Sequence, residues 1–239
     1  MRLIAHRARR GADPENSLVG LKGLVPYLEK GLSSIEIDVR VSADGVPVVL
    51  HDADLHRTTN GHGEVSATRF AQVQALRLHG TDTSPPSLSE YLQFAAAVLW
   101  LSGSPGAATI YIDIKTKVPS EVALVASEIA RLPYTRAIVC LGKTLDTFET
   151  LHRVGGGTLR LGLLRCNHEN LAKNLIIARQ YRAEVIFVQQ GLDAFLANLD
   201  IIPEIRAAGL QVGGSILNGD EALTLARRAG CNLVLTDLP

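Results

Sequence analysis

The chain of 239 residues carries 24 basic and 24 acidic side chains, and 46% of its residues are hydrophobic. This length and composition are typical of one soluble domain with a sizeable core. The balanced charge excludes global steering toward nucleic acid or an acidic membrane, so we expect neither as a partner. No apolar run reaches the length of about 18 residues that a membrane-spanning helix needs.

The three cysteines, Cys140, Cys166 and Cys231, lie far apart and form no CxxC pair. An odd number at such spacing argues against a disulfide framework and against a thiolate zinc site. The chain begins with a short apolar strand pattern and lacks the apolar segment of a signal peptide. We therefore expect buried thiols in a reducing cytoplasm. The sequence carries no signature of a particular oligomeric state.

The first quarter of the chain predicts two strands around a helix, followed by a strand that pairs back on the second. In chain order these elements cover about Leu3 to His6, Leu18 to Gly31, Ile35 to Val41 and Val46 to His51. Asp44-Gly45 is a strong hairpin turn, which explains the returning strand. Residues 53–86 are polar and rich in turn residues, so we interpret them as an insertion with one short helix near Ala67 to Leu76.

From residue 89 onward, amphipathic helices alternate with apolar strands. The predicted strands are Thr109 to Lys115, Ala137 to Leu141, Leu159 to Leu164, Glu184 to Val188, Leu210 to Ile216 and Leu233 to Thr236. The predicted helices are Ser89 to Leu101, Ser120 to Arg131, Leu145 to Arg153, Asn170 to Arg182, Leu199 to Ala208 and Asp220 to Ala229. This alternation indicates parallel strands with helices outside. Roughly eight strand–helix units favour an α/β fold with a single (β/α)8 TIM barrel, one domain over residues 1–239.

Two carboxylates, Glu36 and Asp38, lie two residues apart in the second strand and so share one face of it. Placing both amid apolar residues is costly unless a positive charge meets them, and a metal ion is the simplest such charge. The alternative is an ion pair inside the barrel with Arg40 or Lys115.

More polar side chains fall near strand ends, where TIM barrels build their active sites. His6 ends the first strand, His51 ends the returning strand, and Asp113 and Lys115 close the third. Three carboxylates suit a hard cation, Mg²⁺ or Ca²⁺, and two histidines suit general acid–base chemistry. With Arg7 and Lys115 added, the set indicates a phosphate site. A structural core histidine and an Asp113–Lys115 ion pair are the alternatives.

A set of short motifs extends along the whole chain. They are His6-Arg7, Pro14-Glu-Asn-Ser17, Glu36-Ile-Asp38, Asp44-Gly45, His51-Asp52, Arg57-Thr-Thr-Asn-Gly61, Asp113-Ile-Lys115 and Leu235-Thr-Asp-Leu-Pro239. In this order and at these spacings, the sequence resembles the glycerophosphodiester phosphodiesterase family. The resemblance implies a TIM barrel that hydrolyses glycerophosphodiesters to an alcohol and glycerol 3-phosphate, with a bound Ca²⁺ or Mg²⁺.

Carried over by position, the resemblance also implies roles for individual residues. Glu36, Asp38 and Asp113 would bind the metal, His6 and His51 would be the acid–base pair, and Arg7 and Lys115 would hold the phosphate. Independently of the resemblance, Glu15-Asn16 is expected to cap a helix, with Asn16 or Ser17 as the cap of the helix from Leu18, or the Glu15 carboxylate is expected to brace Arg7.

The chain departs from the family pattern at three places. Ala8 stands where glycine usually follows His-Arg, Asp113 stands where the third ligand is usually glutamate, and Gly213-Gly-Ser215 lacks the tryptophan expected in the seventh strand. Two further hypotheses therefore stay open. One is a lysophospholipase D-like activity on single-chain lipids, suggested by the apolar cluster Val98 to Leu101. The other is a barrel that binds phosphorylated ligands without turnover.

Overall fold

The structure is a computed structural model that describes residues 1–28, 32, 34–101 and 108–238. The helix ends predicted at Gly31 and in the segment 103–106 lie outside these residues. Of Arg10, Trp100, Leu101 and Leu238, only the backbone is described.

Eight parallel strands close into a barrel, which confirms the predicted fold. In chain order, the nine strands are β1 (Arg2–Arg10), β2 (Ser34–Val41), β3 (Pro47–Val49), β4 (Thr109–Ile114), β5 (Ile138–Gly142), β6 (Arg160–Cys166), β7 (Val185–Gln190), β8 (Gln211–Ser215) and β9 (Leu233–Leu238). The barrel order is β1-β2-β4-β5-β6-β7-β8-β9, and β9 pairs with β1. β3 lies outside the barrel and pairs antiparallel with β2, as the hairpin turn predicted.

The described helices follow the predicted alternation. They are α1 (Leu18–Gly23), α2 (Val25–Leu28), α3 (Phe70–Gln74), α4 (Leu88–Leu101), α5 (Pro119–Ala130), α6 (Leu145–Val154), α7 (Leu171–Tyr181), α8 (Leu192–Leu196), α9 (Ile202–Ala207) and α10 (Gly219–Arg228). The single helix predicted from Leu18 is divided at Leu24, whose N–H already bonds to the Leu21 carbonyl. α8 was missed because its five residues are too short to show helical periodicity.

The alternation of side chains along each strand divides the core into two layers. In β4, Ile110 and Ile112 face the outer layer between strands and helices, while Tyr111 belongs to the apolar cluster inside the barrel. The next inward position after Tyr111 is Asp113, and in β2 the inward positions are Glu36 and Asp38. The period of two therefore sends carboxylates, not apolar groups, to the upper end of the barrel interior.

The predicted insertion forms its own small apolar cluster beside β3. Val48 and Leu50 pack there with Leu55, Val65 and Val73. Antiparallel bridges, such as that between residues 54 and 64, hold the turns together. Residues 53–86 thus lie next to the strand end that carries His51.

Three strands break register near their carboxyl ends. The shifts fall between Ala5 and Arg10 in β1, between Leu163 and Cys166 in β6, and between Phe187 and Gln190 in β7. Such bulges re-aim side chains and are common beside active sites. In β1 the break includes Ala8 at φ 45°, a left-handed conformation that glycine adopts without strain. This explains why glycine is usual at the position of Ala8.

The missing tryptophan of the seventh barrel strand also has a structural explanation. A Cβ atom on Gly213 would lie 2.2 Å from the Phe187 ring. Phe187 is fully buried inside the barrel and packs edge-on against Tyr111, with ring centroids 6.0 Å apart. The neighbouring strand therefore fills the space above Gly213.

Replacing Gly213 by Ala is expected to destabilise the protein by about 1–3 kcal/mol, because the barrel interior would be overpacked. Urea unfolding measures the change. In a Phe187→Leu background, the added methyl group should cost less, since the smaller side chain leaves room for it. Equal costs in both backgrounds would contradict the proposed contact between Gly213 and Phe187.

Candidate active site

A cleft opens at the carboxyl ends of the barrel strands. The space between its walls has a volume of about 390 Å³, part of which is open to solvent. It is lined by His6, Arg7, Glu36, Asp38, His51, Asp113, Lys115, Lys143, Leu164, Arg165, Gln190, Ser215, Ile216 and Leu235. All seven residues that the sequence singled out are in this set. The structure thus brings them together from three barrel strands and the end of β3.

The three carboxylates form a buried cluster. Glu36, Asp38 and Asp113 are each at most 4% exposed, and each offers an oxygen within 4.8 Å of the others. The register of β2 against β4 places Asp38 directly beside Asp113. An all-oxygen donor set of this kind fits a hard divalent cation better than zinc.

Lys115 supplies the positive charge that the cluster needs. Its Nζ lies 2.8 Å from Asp38 Oδ1 and 2.5 Å from Asp113 Oδ2. Burial acts to lower the pKa of Lys115, but the two carboxylates outweigh it and the pKa is raised. The ion-pair alternative is therefore present in the structure together with the carboxylate cluster. Arg40 does not take part in that pair, because its Nε donates to the His51 carbonyl.

The carboxylates differ in their pKa values. Burial raises the pKa of Glu36 well above its usual range, and the charges of Asp38 and Asp113 add to the effect. Burial also acts on Asp38, but Lys115, His51 and a hydrogen bond from Asn16 outweigh it and lower its pKa. Glu36 is therefore the carboxyl group that gains most from an added cation.

Asn16 holds Asp38 in place and was missed as a site residue. Its Nδ2 donates to Asp38 Oδ2 at 2.8 Å, and the Asp38 N–H donates to its Oδ1 at 3.0 Å. Asn16 is almost fully buried, in a left-handed conformation with φ 54°. Ser17, and not Asn16, caps α1 by accepting from the Gly20 N–H. The Pro14-Glu-Asn-Ser17 motif was the available signal.

Both histidines are paired with a carboxylate. His6 Nδ1 lies 2.9 Å from Asp237 Oδ1, and His51 Nδ1 lies 2.5 Å from Asp52 Oδ1. Because a carboxylate only accepts, each Nδ1 carries the proton and each neutral ring has a free lone pair on Nε2. The bond from His6 holds the pKa of Asp237 well below its usual range. Asp237 was also missed, although it lies in the closing motif.

An arginine network connects the two sides of the cleft. Arg7 Nη1 donates to both oxygens of Glu15 at 2.9 Å, so the expected brace is present. Arg57 donates to the same carboxylate at 2.6 Å and, through Nε, to Asp52. The bond from Arg57 is the first cause that lowers the pKa of Asp52. The insertion therefore positions Asp52, and through it His51.

Two cations of the cleft were not predicted. Lys143 Nζ lies 3.1 Å from Asp113 Oδ2, and Arg165 Nη2 lies 3.4 Å from Gln190 Oε1. The available signal was their position, because both lie within two residues of a predicted strand end at the carboxyl edge of the barrel.

The apolar cluster predicted in α4 offers little surface among the described residues. Leu99 is buried in the outer core layer, and Val98 packs against that layer. The side chains of Trp100 and Leu101 lie outside the described residues. No helix in the described part of the chain is both long and apolar enough to cross a membrane. The exposed histidines His56, His62, His79, His152 and His168 lie outside the cleft, as expected.

The fold and the cleft together define a class of protein, a TIM barrel with an acidic cluster, paired histidines and cations at its mouth. The sequence profile of the Glycerophosphoryl diester phosphodiesterase family matches residues 6–154. The chain belongs to this family.

Known proteins agree with this assignment. Glycerophosphodiester phosphodiesterase 1 from Bos taurus is 36% identical over 73 residues, which are 30% of this chain and 21% of the bovine protein. The matched segment thus spans about a fifth of that relative. A phosphodiesterase from Oleispira antarctica has been solved with the product sn-glycerol-3-phosphate. Its structure matches this one with a TM-score of 0.82 at 21% sequence identity, and the match covers 100% of this chain and 94% of the Oleispira chain. A glycerophosphodiester phosphodiesterase from Agrobacterium tumefaciens matches with a TM-score of 0.77 at 25% sequence identity. This match covers 100% of this chain and 97% of the Agrobacterium chain.

In metal-free protein, replacing Glu36 by Gln is expected to raise the free energy of unfolding at pH 8 by about 1–4 kcal/mol, the range found when buried charges are replaced by neutral groups. The pKa of Glu36 is higher in the folded than in the unfolded chain. Stability is therefore lost as the pH rises through this interval, because the unfolded chain ionises first. The gain from Gln should vanish near pH 4.

Urea unfolding in EDTA at pH 4 and pH 8 measures this difference, with the exposed Glu169→Gln as the matched control. A Glu36→Gln variant that is less stable than the original protein at pH 8, or equally changed at both pH values, would contradict the pKa assignment.

Proposed function

We propose that the protein hydrolyses glycerophosphodiesters to an alcohol and glycerol 3-phosphate, with a bound divalent cation and with His6 and His51 as acid–base pair. The observation that carries the proposal is the meeting of three buried carboxylates and two carboxylate-paired histidines in one cleft. Membership of the family gives the reaction class. The three free, buried cysteines support a reducing, cytoplasmic setting for the activity.

The carboxylate cluster fits a metal site by its donor chemistry and by its electrostatics. Glu36, Asp38 and Asp113 would hold the ion, and Mg²⁺ and Ca²⁺ both accept such oxygen ligands. Burial, together with the charges of Asp38 and Asp113, raises the pKa of Glu36, so an added cation would favour its ionised form. When bound, the cation would supply positive charge to the phosphoryl oxygens.

The histidines divide the proton transfers between them. Burial, opposed by the charge of Asp38 and the bond to Asp52, lowers the pKa of His51. His51 is therefore neutral at pH 7, and its Nε2 can take the proton of the water or glycerol hydroxyl group that attacks the phosphorus. His6 acts in its protonated form: its Nδ1–H stays bonded to Asp237, and its Nε2–H gives a proton to the alcohol oxygen as the P–O bond breaks. The same alcohol oxygen would otherwise leave as an unstable alkoxide.

Arg7 and Lys115 are positioned to meet the phosphate. Lys115 is held by two carboxylates at the centre of the cleft, and Arg7 is fixed by Glu15, with its Nε 3.6 Å from Asp38 Oδ2. Buried cations that need no reorganisation stabilise charge that develops in the transition state. The hypothesis of activity on single-chain lipids lacks a comparable observation among the described side chains.

The purified protein should release glycerol 3-phosphate from glycerophosphoglycerol, a diester whose alcohol is uncharged, and EDTA should abolish the activity. His6→Ala and His51→Ala should each lower kcat by at least about 100-fold, the low end of general acid–base contributions. The exposed His62→Ala is the matched control. Activity that survives in EDTA would refute the metal role, and absence of turnover would favour the binding-only hypothesis.

Metal binding has a readout that does not depend on activity. Mg²⁺ or Ca²⁺ should raise the Tm of the protein, because an ion that binds only the folded state stabilises it. Glu36→Gln should reduce this shift, since it removes one ligand charge.

The acid limb of kcat/KM should have its midpoint below the usual histidine value of about 6.5, because the base His51 has a lowered pKa. Activity then persists as the pH falls, until His51 becomes protonated. Asp52→Asn should move this limb further toward acid, since the hydrogen bond that His51 donates to Asp52 raises the pKa of His51. A limb at or above 6.5 that Asp52→Asn leaves unmoved would exclude His51 as the titrating base.

A further inference from the structure

Two cationic side chains in the cleft, Lys143 and Arg165, have no task in the proposed reaction. Lys143 follows β5, the neighbour of the Asp113 strand β4, and Arg165 lies near the end of β6, the next strand after β5. Both line the same cleft as the catalytic histidines. Cations in this position need a partner of opposite charge or remain solvated.

Lys143 is only partly neutralised by the protein. Its side chain is 28% exposed, and its Nζ lies 3.1 and 3.3 Å from the two oxygens of Asp113. Asp113 is shared, since Lys115 Nζ lies 2.5 Å from the same Oδ2. An ammonium group has three donors, so Lys143 can bind a further anion while it keeps this contact.

The backbone at Arg165 has the same irregularity as the backbone at Arg7, and both side chains line the cleft. Arg165 lies in the register break of β6 and has φ 60°, as Arg7 lies in the break of β1 with φ 53°. Left-handed backbone at a residue other than glycine is costly and collects at functional sites. Unlike Arg7, which Glu15 holds in two hydrogen bonds, the exposed Arg165 side chain has a single polar contact among the described residues, at 3.4 Å to the neutral Gln190.

The remaining lining argues against a cationic alcohol in the substrate. Quaternary ammonium groups are recognised by the faces of aromatic rings. Among the described residues that line the cleft, none is Phe, Tyr or Trp. The four lysines and arginines of the lining outnumber its three carboxylates. Of these four cations, Arg7 is the one that Glu15 contacts, and Glu15 shares its charge with Arg57 outside the lining.

We propose that Lys143 and Arg165 form a subsite for an anionic group on the alcohol half of the substrate. The glycerol half of the substrate is uncharged. Any negative charge beyond that of the diester phosphate must therefore lie on the alcohol half. The inference rests on the proposed function and narrows it to diesters whose leaving alcohol bears a phosphate or carboxylate group. Lys143 and Arg165 would each add charge-assisted hydrogen bonds to this group.

The test compares three diesters whose alcohol half differs in charge: anionic in glycerophosphoglycerol phosphate, uncharged in glycerophosphoglycerol and cationic in glycerophosphocholine. We expect kcat/KM to be at least about 10-fold higher for the phosphorylated than for the choline diester, the factor that one charge-assisted contact supplies. Lys143→Gln and Arg165→Gln should each lower this ratio, mainly through KM for the phosphorylated substrate. Lys143→Arg should preserve it, because it keeps the charge.

Exposed Lys173→Gln and Arg228→Gln are the matched controls, and circular dichroism shows whether each variant is folded. If all three diesters are turned over at equal kcat/KM, or the choline ester is preferred, the subsite is refuted while the proposed function stands. A preference that survives both Gln variants also refutes it. If none of the three is hydrolysed, the proposed function fails, and the subsite with it.

Discussion

The structure depends on the burial of three carboxylates among a few cationic side chains at the top of the barrel. Lys115 contacts Asp38 and Asp113, and Lys143 also contacts Asp113. Burial, with the charges of the other two carboxylates, raises the pKa of Glu36. A cluster chosen for stability alone would have matched charges or apolar side chains. This one is held by the strands of a closed barrel, whose register fixes Asp38 beside Asp113. The folded state therefore keeps an electrostatic cost that a bound cation would relieve.

The residues around this cluster limit the movement of the Asp38 carboxylate and of the His6 and His51 imidazoles. Asn16 binds Asp38 from both its amide and its carbonyl, and Asp237 and Asp52 orient the two imidazoles. Arg57 reaches out of the insertion to Asp52 and Glu15. The insertion is thus part of the site, because it supplies the contact that orients His51 through Asp52. Partners of this kind fix both the orientation and the protonation of the groups that they hold.

The sequence predicted the barrel and the seven candidate site residues because every second side chain of a strand lies on the same face. Apolar positions alternate along the strands, so a carboxylate at an inward position, such as Asp113, is visible as an exception. The missed residues are of another kind. Asn16 has left-handed backbone, Arg165 lies in a register break, and Asp237 acts through its contact with His6. No local pattern encodes these placements, since they depend on how distant segments meet at the barrel mouth.

The structure explains how the chain accommodates its three departures from the family pattern. Ala8 adopts the left-handed conformation at a cost of roughly 1–2 kcal/mol relative to glycine, and the bulge that directs His6 and Arg7 is retained. The space above Gly213 is filled by Phe187. Asp113, shorter than glutamate, is met by Lys143 as well as Lys115. The contacts of Asp113 with two lysines therefore link the carboxylate cluster, the proposed metal site, to the charge of the cleft, and a change at Asp113 should alter both together.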